Sequence, residues 1–326
     1  LTYQAADGED PNTRSFIAPK IEQWIVLEGN AGSSVRNLHF KGLEFVHTAW
    51  SRPEFGYNGI QAGHYGTRMP DPTYVLPVGI EFHYAQDCSV TDSRIAHTGA
   101  GGIGFGAGTR RNTVRGCELS DIGANGIMVG WRGKARTIGT VEGEDFYLSS
   151  DWLDRADVPV SNVVSGNLIR QPGAINHGCV GIFDAFAQGT RIAHNVIHDT
   201  PYTGISVGFR WNESETSQRE TLIEYNHVYD TMKMLADGGC LYTLGYQPHT
   251  IIRGNVFHDA HRSQFAHGGA PNNGIFFDQG SKGYHVISNT IYNTSGNAIR
   301  FNQTRKENMS WKDNSFGIGV GQSTAP

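Results

Sequence analysis

The sequence predicts an all-β chain folded as a right-handed parallel β-helix, a single-stranded solenoid of about 8–10 coils. Three observations carry this. A short apolar-x-x-Asn-x-apolar unit recurs down the chain. A Gly-apolar-x-apolar unit precedes its copies. Both alternate with the two-residue period of strands and not the 3.6-residue period of a helix.

The Asn unit is clearest in VSGNLI, IAHNVI, IEYNHV, IRGNVF and ISNTI, which place Asn167, Asn195, Asn226, Asn255 and Asn289. WKDNSF adds Asn314, and earlier copies carry Leu43 (FKGLEF), Ser93 (VTDSRI) and Cys117 (VRGCEL). The glycine unit begins at Gly102 (GIGF), Gly126 (GIMV), Gly181 (GIFD), Gly204 (GISV), Gly239 (GCLY) and Gly274 (GIFF), and ends with AIRF at Ala298. Successive Asn-type positions lie 24, 28, 31, 29, 34 and 25 residues apart, with two gaps of 50. The short gaps fit one coil each. The long ones mark insertions near residues 50–77 and 130–160 of a single domain spanning 1–326, which is expected to be incomplete at one or both ends.

Stacked coils explain the composition of 42 Gly and 17% charged residues. Gly permits sharp turns, and Asn tolerates left-handed backbone while hydrogen-bonding its neighbours in a ladder. The ladder Asn residues are therefore read as architectural. The repeats lack the WD and leucine-rich signatures of propellers and horseshoes.

Composition also excludes classes. A net charge of −5 gives no basic footprint for nucleic acid. No apolar run approaches the roughly 20 residues of a membrane-spanning helix. Cys88, Cys117, Cys179 and Cys240 form no C-x-x-C pair, so they are expected as free core thiols and not a zinc site. The chain begins at Leu1 with no visible signal sequence, as a mature form or fragment would.

Several motifs resolve into the repeat. Gly99, Gly101 and Gly104 form G-x-G-x-x-G, but this run overlaps a repeat strand and no helical pattern follows. His194 and His198 sit four apart in a strand-like segment, about 13 Å if extended, too far to share a metal. No G-x-S-x-G elbow is present. Asp199, Asp230 and Asp259 recur at equivalent places in HDT, YDT and HDA and read as architectural.

Three carboxylates break the pattern: Asp184 in GIFDAF, Asp237 in LADGGCLYTLG and Asp278 in GIFFDQG. Carboxylates one coil apart in a column can approach the roughly 5 Å separation of retaining glycosidases. Candidate sugar-binding residues fall in the same coil regions and in the insertions: Trp50, Tyr57, His64, Tyr65, Arg210, Trp211, Tyr242, Tyr246, His249, Arg262, His267 and Gln279. Sugars stack C–H faces on aromatic rings and need polar partners for hydroxyls.

Val35–Trp50 (V-x-N-L-x-F-x-G-L-x-F-x-H-T-x-W), G-x-x-G-I-Q-A at Gly56–Ala62, D-G-G-C-L-Y-T-L-G at Asp237–Gly245 and F-F-D-Q-G at Phe276–Gly280 together resemble bacterial β-helix proteins of glycoside hydrolase family 141. That resemblance implies hydrolysis of plant cell-wall glycans, with α-L-fucosidase and xylanase as the known activities. It also implies two catalytic aspartates, at Asp237 and Asp278, with no cofactor, and an extracellular or periplasmic setting. The strand alignment does not put those two in one column. A bulge or bend near Gly238 and Gly239 is needed to join them; otherwise Asp184 is the better partner for Asp278. A polysaccharide lyase, with Ca²⁺ as a possible cofactor, and a non-catalytic glycan-binding adhesin remain open alternatives.

Overall fold

A computed structural model describes residues 3–54, 56–57, 62, 75–130, 156–264, 266 and 271–317. The insertions expected near 50–77 and 130–160 hold the longest stretches outside the described residues.

The chain forms a parallel β-helix with three walls, each a nine-stranded parallel sheet. The first wall collects the glycine units: Ile25–Glu28, Val78–His83, Gly101–Phe105, Ile127–Gly130, Ile182–Ala185, Ile205–Val207, Gly239–Thr243, Asn273–Phe277 and Ile299–Phe301. The second wall runs from His39–Lys41 to Ser310–Lys312, and the third from Glu44–Val46 to Ser315–Phe316. The G-x-G-x-x-G run ends inside the strand Gly101–Phe105, as the repeat requires.

The Asn unit is a corner and not one strand. Its first half belongs to the second wall and its second half to the third. Val164 thus pairs with Ile192, while Ile169 pairs with Ile197. The left-handed residue is the one before the Asn: Gly166 (φ 64°), His194 (57°), Tyr225 (54°), Gly254 (62°) and Ser288 (53°). That differs from the expectation that Asn itself takes the left-handed backbone. The Asn supplies hydrogen bonds instead. Asn195 donates its backbone N–H and its Nδ2 to Asn226 Oδ1 at 3.0 and 2.9 Å, and Nδ2 also reaches Val164 O at 3.0 Å. The same pattern steps through Asn226, Asn255 and Asn289 to Asn314.

Two further left-handed columns mark the other bends. One holds Asp121 (53°), Gln171 (53°), Asp199 (60°), Asp230 (50°) and Asp259 (54°), which explains the recurrent Asp in HDT, YDT and HDA. The other holds Arg111 (53°), Ser161 (55°), Gly189 (64°), Glu220 (59°) and His249 (61°). His194 and His198 stack on Tyr225 and Tyr229 at 5.3 and 4.9 Å.

Inside the coils, Ile103, Ile127, Ile182, Ile205, Leu241, Ile275 and Ile299 form one buried column. Burying each such side chain contributes about 1.5–3 kcal/mol. All four cysteines are free and buried. Burial pushes the Cys240 thiol up to about 12.

Candidate active site

Alternation in the first wall sends neighbours to opposite faces. Met128, Phe183, Ser206, Tyr242, Phe276 and Arg300 stand in one register column. Its apolar members belong to a second cluster, distinct from the interior core, with Val180, Tyr202, Phe209, Met232 and Leu244. They therefore face outward, beneath covering segments. The outer side of this wall is clothed and is not an open groove along its whole length.

The next column holds Val129, Asp184, Val207, Thr243, Phe277 and Phe301 and faces the interior. Asp184 is thus fully buried inside the solenoid. Its oxygens accept from Thr190 Oγ1 (2.9 Å), Gln218 Nε2 (2.8 Å) and Thr221 Oγ1 (3.2 Å). Burial drives its pKa up to about 6 against these three donors. Facing inward, it does not join Asp278, and the expectation that it could replace Asp237 is corrected.

Asp278 follows the strand Asn273–Phe277, two residues after outward-facing Phe276, and is 5% exposed. Tyr242 Oη, from the adjacent coil, donates to Asp278 Oδ2. Asn302 Nδ2, from the coil on the other side, donates to Oδ1 at 2.7 Å. Both Asp278 oxygens are therefore engaged as acceptors.

Asp237 reaches the same region from the opposite end of the wall. The sequence required a bend near Gly238 and Gly239, and the bend falls on Asp237 itself (φ 67°). The two glycines serve close approach: a Cβ on Gly239 would lie 2.3 Å from Asn273 O. Tyr202 Oη holds the Asp237 carbonyl at 2.9 Å. Arg300 Nη1 donates to Asp237 Oδ1 at 3.1 Å, and its guanidinium lies over the Phe276 ring at 4.2 Å. The Asp237 carboxyl is pushed above the usual carboxylate range, first by partial burial. Arg300 opposes the rise and the negative charge of Asp278 adds to it.

Tyr242 holds Asp278 and lies within the field of Asp237. It is fully buried, packs edge-on to Phe276 at 5.2 Å and feels both carboxylate charges. Burial, the largest cause, lifts its pKa well above the usual phenol value. It was expected to touch sugar; buried as it is, it positions Asp278 instead.

Other expected sugar-binding residues divide. Gln279 follows Asp278, and its carbonyl accepts from Gly245 N–H at 3.1 Å. Arg210 and Trp211 lie on the segment that passes Gly245, with Trp211 edge-on to Phe209 at 4.8 Å. Tyr246 lies under Lys282 Nζ at 5.7 Å. These flank the Asp278 end. His249 is exposed and occupies a corner column of the second wall, so backbone geometry accounts for it. Trp50 packs on Tyr57 at 5.9 Å beside Leu76, Ala124 and Cys179. That places it near the coil of Gly99, about 24 Å along the solenoid from Asp278 at roughly 4.8 Å per coil. Its expected place beside the aspartates is corrected. His64, Tyr65 and His267 lie outside the described residues.

Sequence reading missed Arg300, Asn302 and Tyr202. Arg300 stood in view as the polar member of AIRF. Its register opposite Phe276 is what makes it part of the site. Among the described residues, no group of three or more His, Cys, Asp or Glu side chains converges to hold a metal.

With this geometry in hand, solved structures supply comparison. A structure described as a glycoside hydrolase matches 91% of this chain and 51% of its own, with TM-score 0.77 and 23% identity. The likeness is one of fold. XylC in complex with xylose matches 81% of this chain and 36% of its own, with TM-score 0.50 and 14% identity. The periplasmic alginate epimerase AlgG, as a point mutant, matches 90% and 69%, with TM-score 0.52 and 12% identity. The chain therefore spans about half the length of the glycoside hydrolase it matches. No family model matches the chain, and no curated protein sequence does.

Proposed function

We propose that the chain is a glycoside hydrolase acting on plant cell-wall-type polysaccharide or its side chains, in the manner of family 141, outside the cytoplasm. The carrying observation is the pairing of unlike carboxyls on one outer face. Asp237 has a raised pKa, while Asp278 accepts at both oxygens. Carboxyls in unlike surroundings can divide the work between acid and nucleophile or base.

In this reading Asp278 attacks the anomeric carbon as Asp237 gives its proton to the departing glycosidic oxygen. Water then attacks the glycosyl ester, returns a proton to Asp237 and releases Asp278, with retention. Asp278→Asn removes the nucleophile and is expected to abolish turnover with the fold intact by circular dichroism. Full activity in that variant sinks the assignment. NMR of the first-formed anomer distinguishes retention from inversion.

One observation favours a second reading, a polysaccharide lyase. Arg300 is a cation beside the pair and could offset a uronate carboxylate during β-elimination. The same digestion decides between them. A lyase yields an unsaturated, ultraviolet-absorbing sugar end, and a hydrolase yields a reducing end alone.

A further inference from the structure

We infer that Arg300 exchanges Asp237 for the carboxylate of an acidic sugar, so that this site takes glycans bearing uronate groups. The inference rests on the reading above, in which Asp237 is the proton donor.

The guanidinium is fixed but underused. Its carbon lies over the Phe276 ring at 4.2 Å. A guanidinium carries five N–H donors and does not lose its charge in proteins. One of them, on Nη1, meets Asp237 Oδ1 at 3.1 Å, and Asp237 is the only ion-pair partner of Arg300 among the described residues. The Arg300 side chain is 21% exposed and that of Asp237 is 48% exposed, so the pair is open to water and readily exchanged.

The chemistry then sets a condition. A general acid must hold its proton before the glycosidic bond breaks. Protonated Asp237 no longer balances Arg300. Asp278, the other carboxyl of the site, is bound by Tyr242 and Asn302 and makes no ion pair with Arg300. The groups facing Asp237 among the described residues are Arg300, Asp278 and Tyr242, with Tyr202 on its carbonyl. Of these, only Asp237 forms an ion pair with the guanidinium. A substrate carboxylate can take its place, and it can accept two parallel N–H donors where Asp237 accepts one. Binding an acidic sugar thus frees Asp237 from Arg300 and favours its proton-loaded form. Protonation of Asp237 also removes one of the two negative charges that would repel such a substrate, and Arg300 faces the incoming one.

The test is calorimetric binding to the whole protein of digalacturonate and cellobiuronate, with cellobiose as the neutral control. Titrations run at mildly acid pH in buffers of different ionisation enthalpy. Acidic sugars are expected to bind at least about tenfold more tightly than the neutral one, with proton uptake from buffer. Arg300→Gln is expected to remove the preference, and Arg300→Lys to retain part of it. Asp237→Asn is expected to keep uronate binding and lose the proton uptake. Equal binding of neutral and acidic sugars overturns the proposal. So does uronate binding that survives Arg300→Gln, uronate binding without proton uptake, or no binding of either class at millimolar sugar. Should Arg300→Gln fail to fold, the Arg300→Lys and Asp237→Asn results decide alone. The assay reads binding, so its failure is distinct from failure of the hydrolase reading. Uronate binding without glycan cleavage overturns only the latter, and cleavage of neutral glycans without uronate preference overturns only this one.

Discussion

Tyr242 and Asp278 stand on neighbouring coils of the first wall, and the buried hydroxyl of one donates to an oxygen of the other. The contact exists because parallel register puts Tyr242 opposite Phe276, two residues short of Asp278. Local sequence separation is 36 residues, so stacking alone creates it.

Tyr242→Phe keeps the ring against Phe276 and removes only the donor. A hydrogen bond to a charged group contributes about 1.5–3 kcal/mol. If Asp278 is the nucleophile, kcat is expected to fall roughly 10- to 150-fold by the same energy. KM should change far less, because the buried ring does not touch sugar. Steady-state kinetics on one oligosaccharide checks this. A variant that loses affinity and keeps kcat contradicts it.

Asp184 predicts a pH dependence of stability with a definite sign. Its folded-state pKa is raised from 3.8 to about 6, because burial outweighs three donated hydrogen bonds. The folded chain therefore holds this proton more tightly than the unfolded chain. The stabilisation is fully present below about pH 4 and is lost as pH rises through about 6. A shift of this size corresponds to on the order of 3 kcal/mol. Asp184→Asn should erase that part of the slope. Urea unfolding midpoints of both proteins from pH 4 to pH 7, about the span of the shift, read it directly. Parallel slopes refute the assignment.

The Asn ladder predicts a large cost for a small change. Asn226→Ala removes the acceptor for both Asn195 N–H and Asn195 Nδ2, and the donor to Ile192 O. It also strips Asn255 Oδ1 of the Asn226 side-chain donor. The groups are buried, and each one left unpaired costs about 1–3 kcal/mol. A total loss of about 3–5 kcal/mol is expected in denaturant unfolding. His194→Gly, at a left-handed position one residue before Asn195, should cost far less, since Gly166 and Gly254 fill the same place. Equal losses in the two variants would mean that the stacking of His194 on Tyr225, which the glycine removes, matters as much as the ladder.

How much of this was legible in the sequence follows from what repeats. Asn167 through Asn314 recur at coil spacing, so the solenoid and its ladder could be read directly. The three-walled section could not, because the Asn unit spans a corner that alternation alone does not reveal. Asp237 and Asp278 stood out by breaking the repeat. Their approach depends on a left-handed φ at Asp237, on a residue type that adopts it at many ordinary corners of this chain. Arg300 and Asn302 entered the site only through register with Phe276 and Phe277, which joins residues about two dozen positions apart. Trp50 and Asp184 misled for the same reason. Sequence proximity to a coil says neither which side of the wall a residue faces nor how far along the axis it lies.

The division of labour between the aspartates gives the last prediction. If Asp237 is the proton donor, Asp237→Ala should lose most activity on natural glycans, whose leaving alkoxide needs that proton. It should keep far more on aryl glycosides, whose phenolate departs unaided. Azide is small enough to enter the space left by the carboxyl and is not repelled by a base. It should therefore intercept the glycosyl ester on Asp278 and yield a glycosyl azide of retained configuration. Asp278→Ala has no ester to intercept. With azide as an external nucleophile and Asp237 still supplying the proton, any glycosyl azide it forms should carry the opposite configuration. NMR of the azide products from the two variants assigns the roles. Retention from Asp278→Ala with inversion from Asp237→Ala would exchange them. The raised pKa at Asp237 and the two donors seated on Asp278 argue for the first pattern.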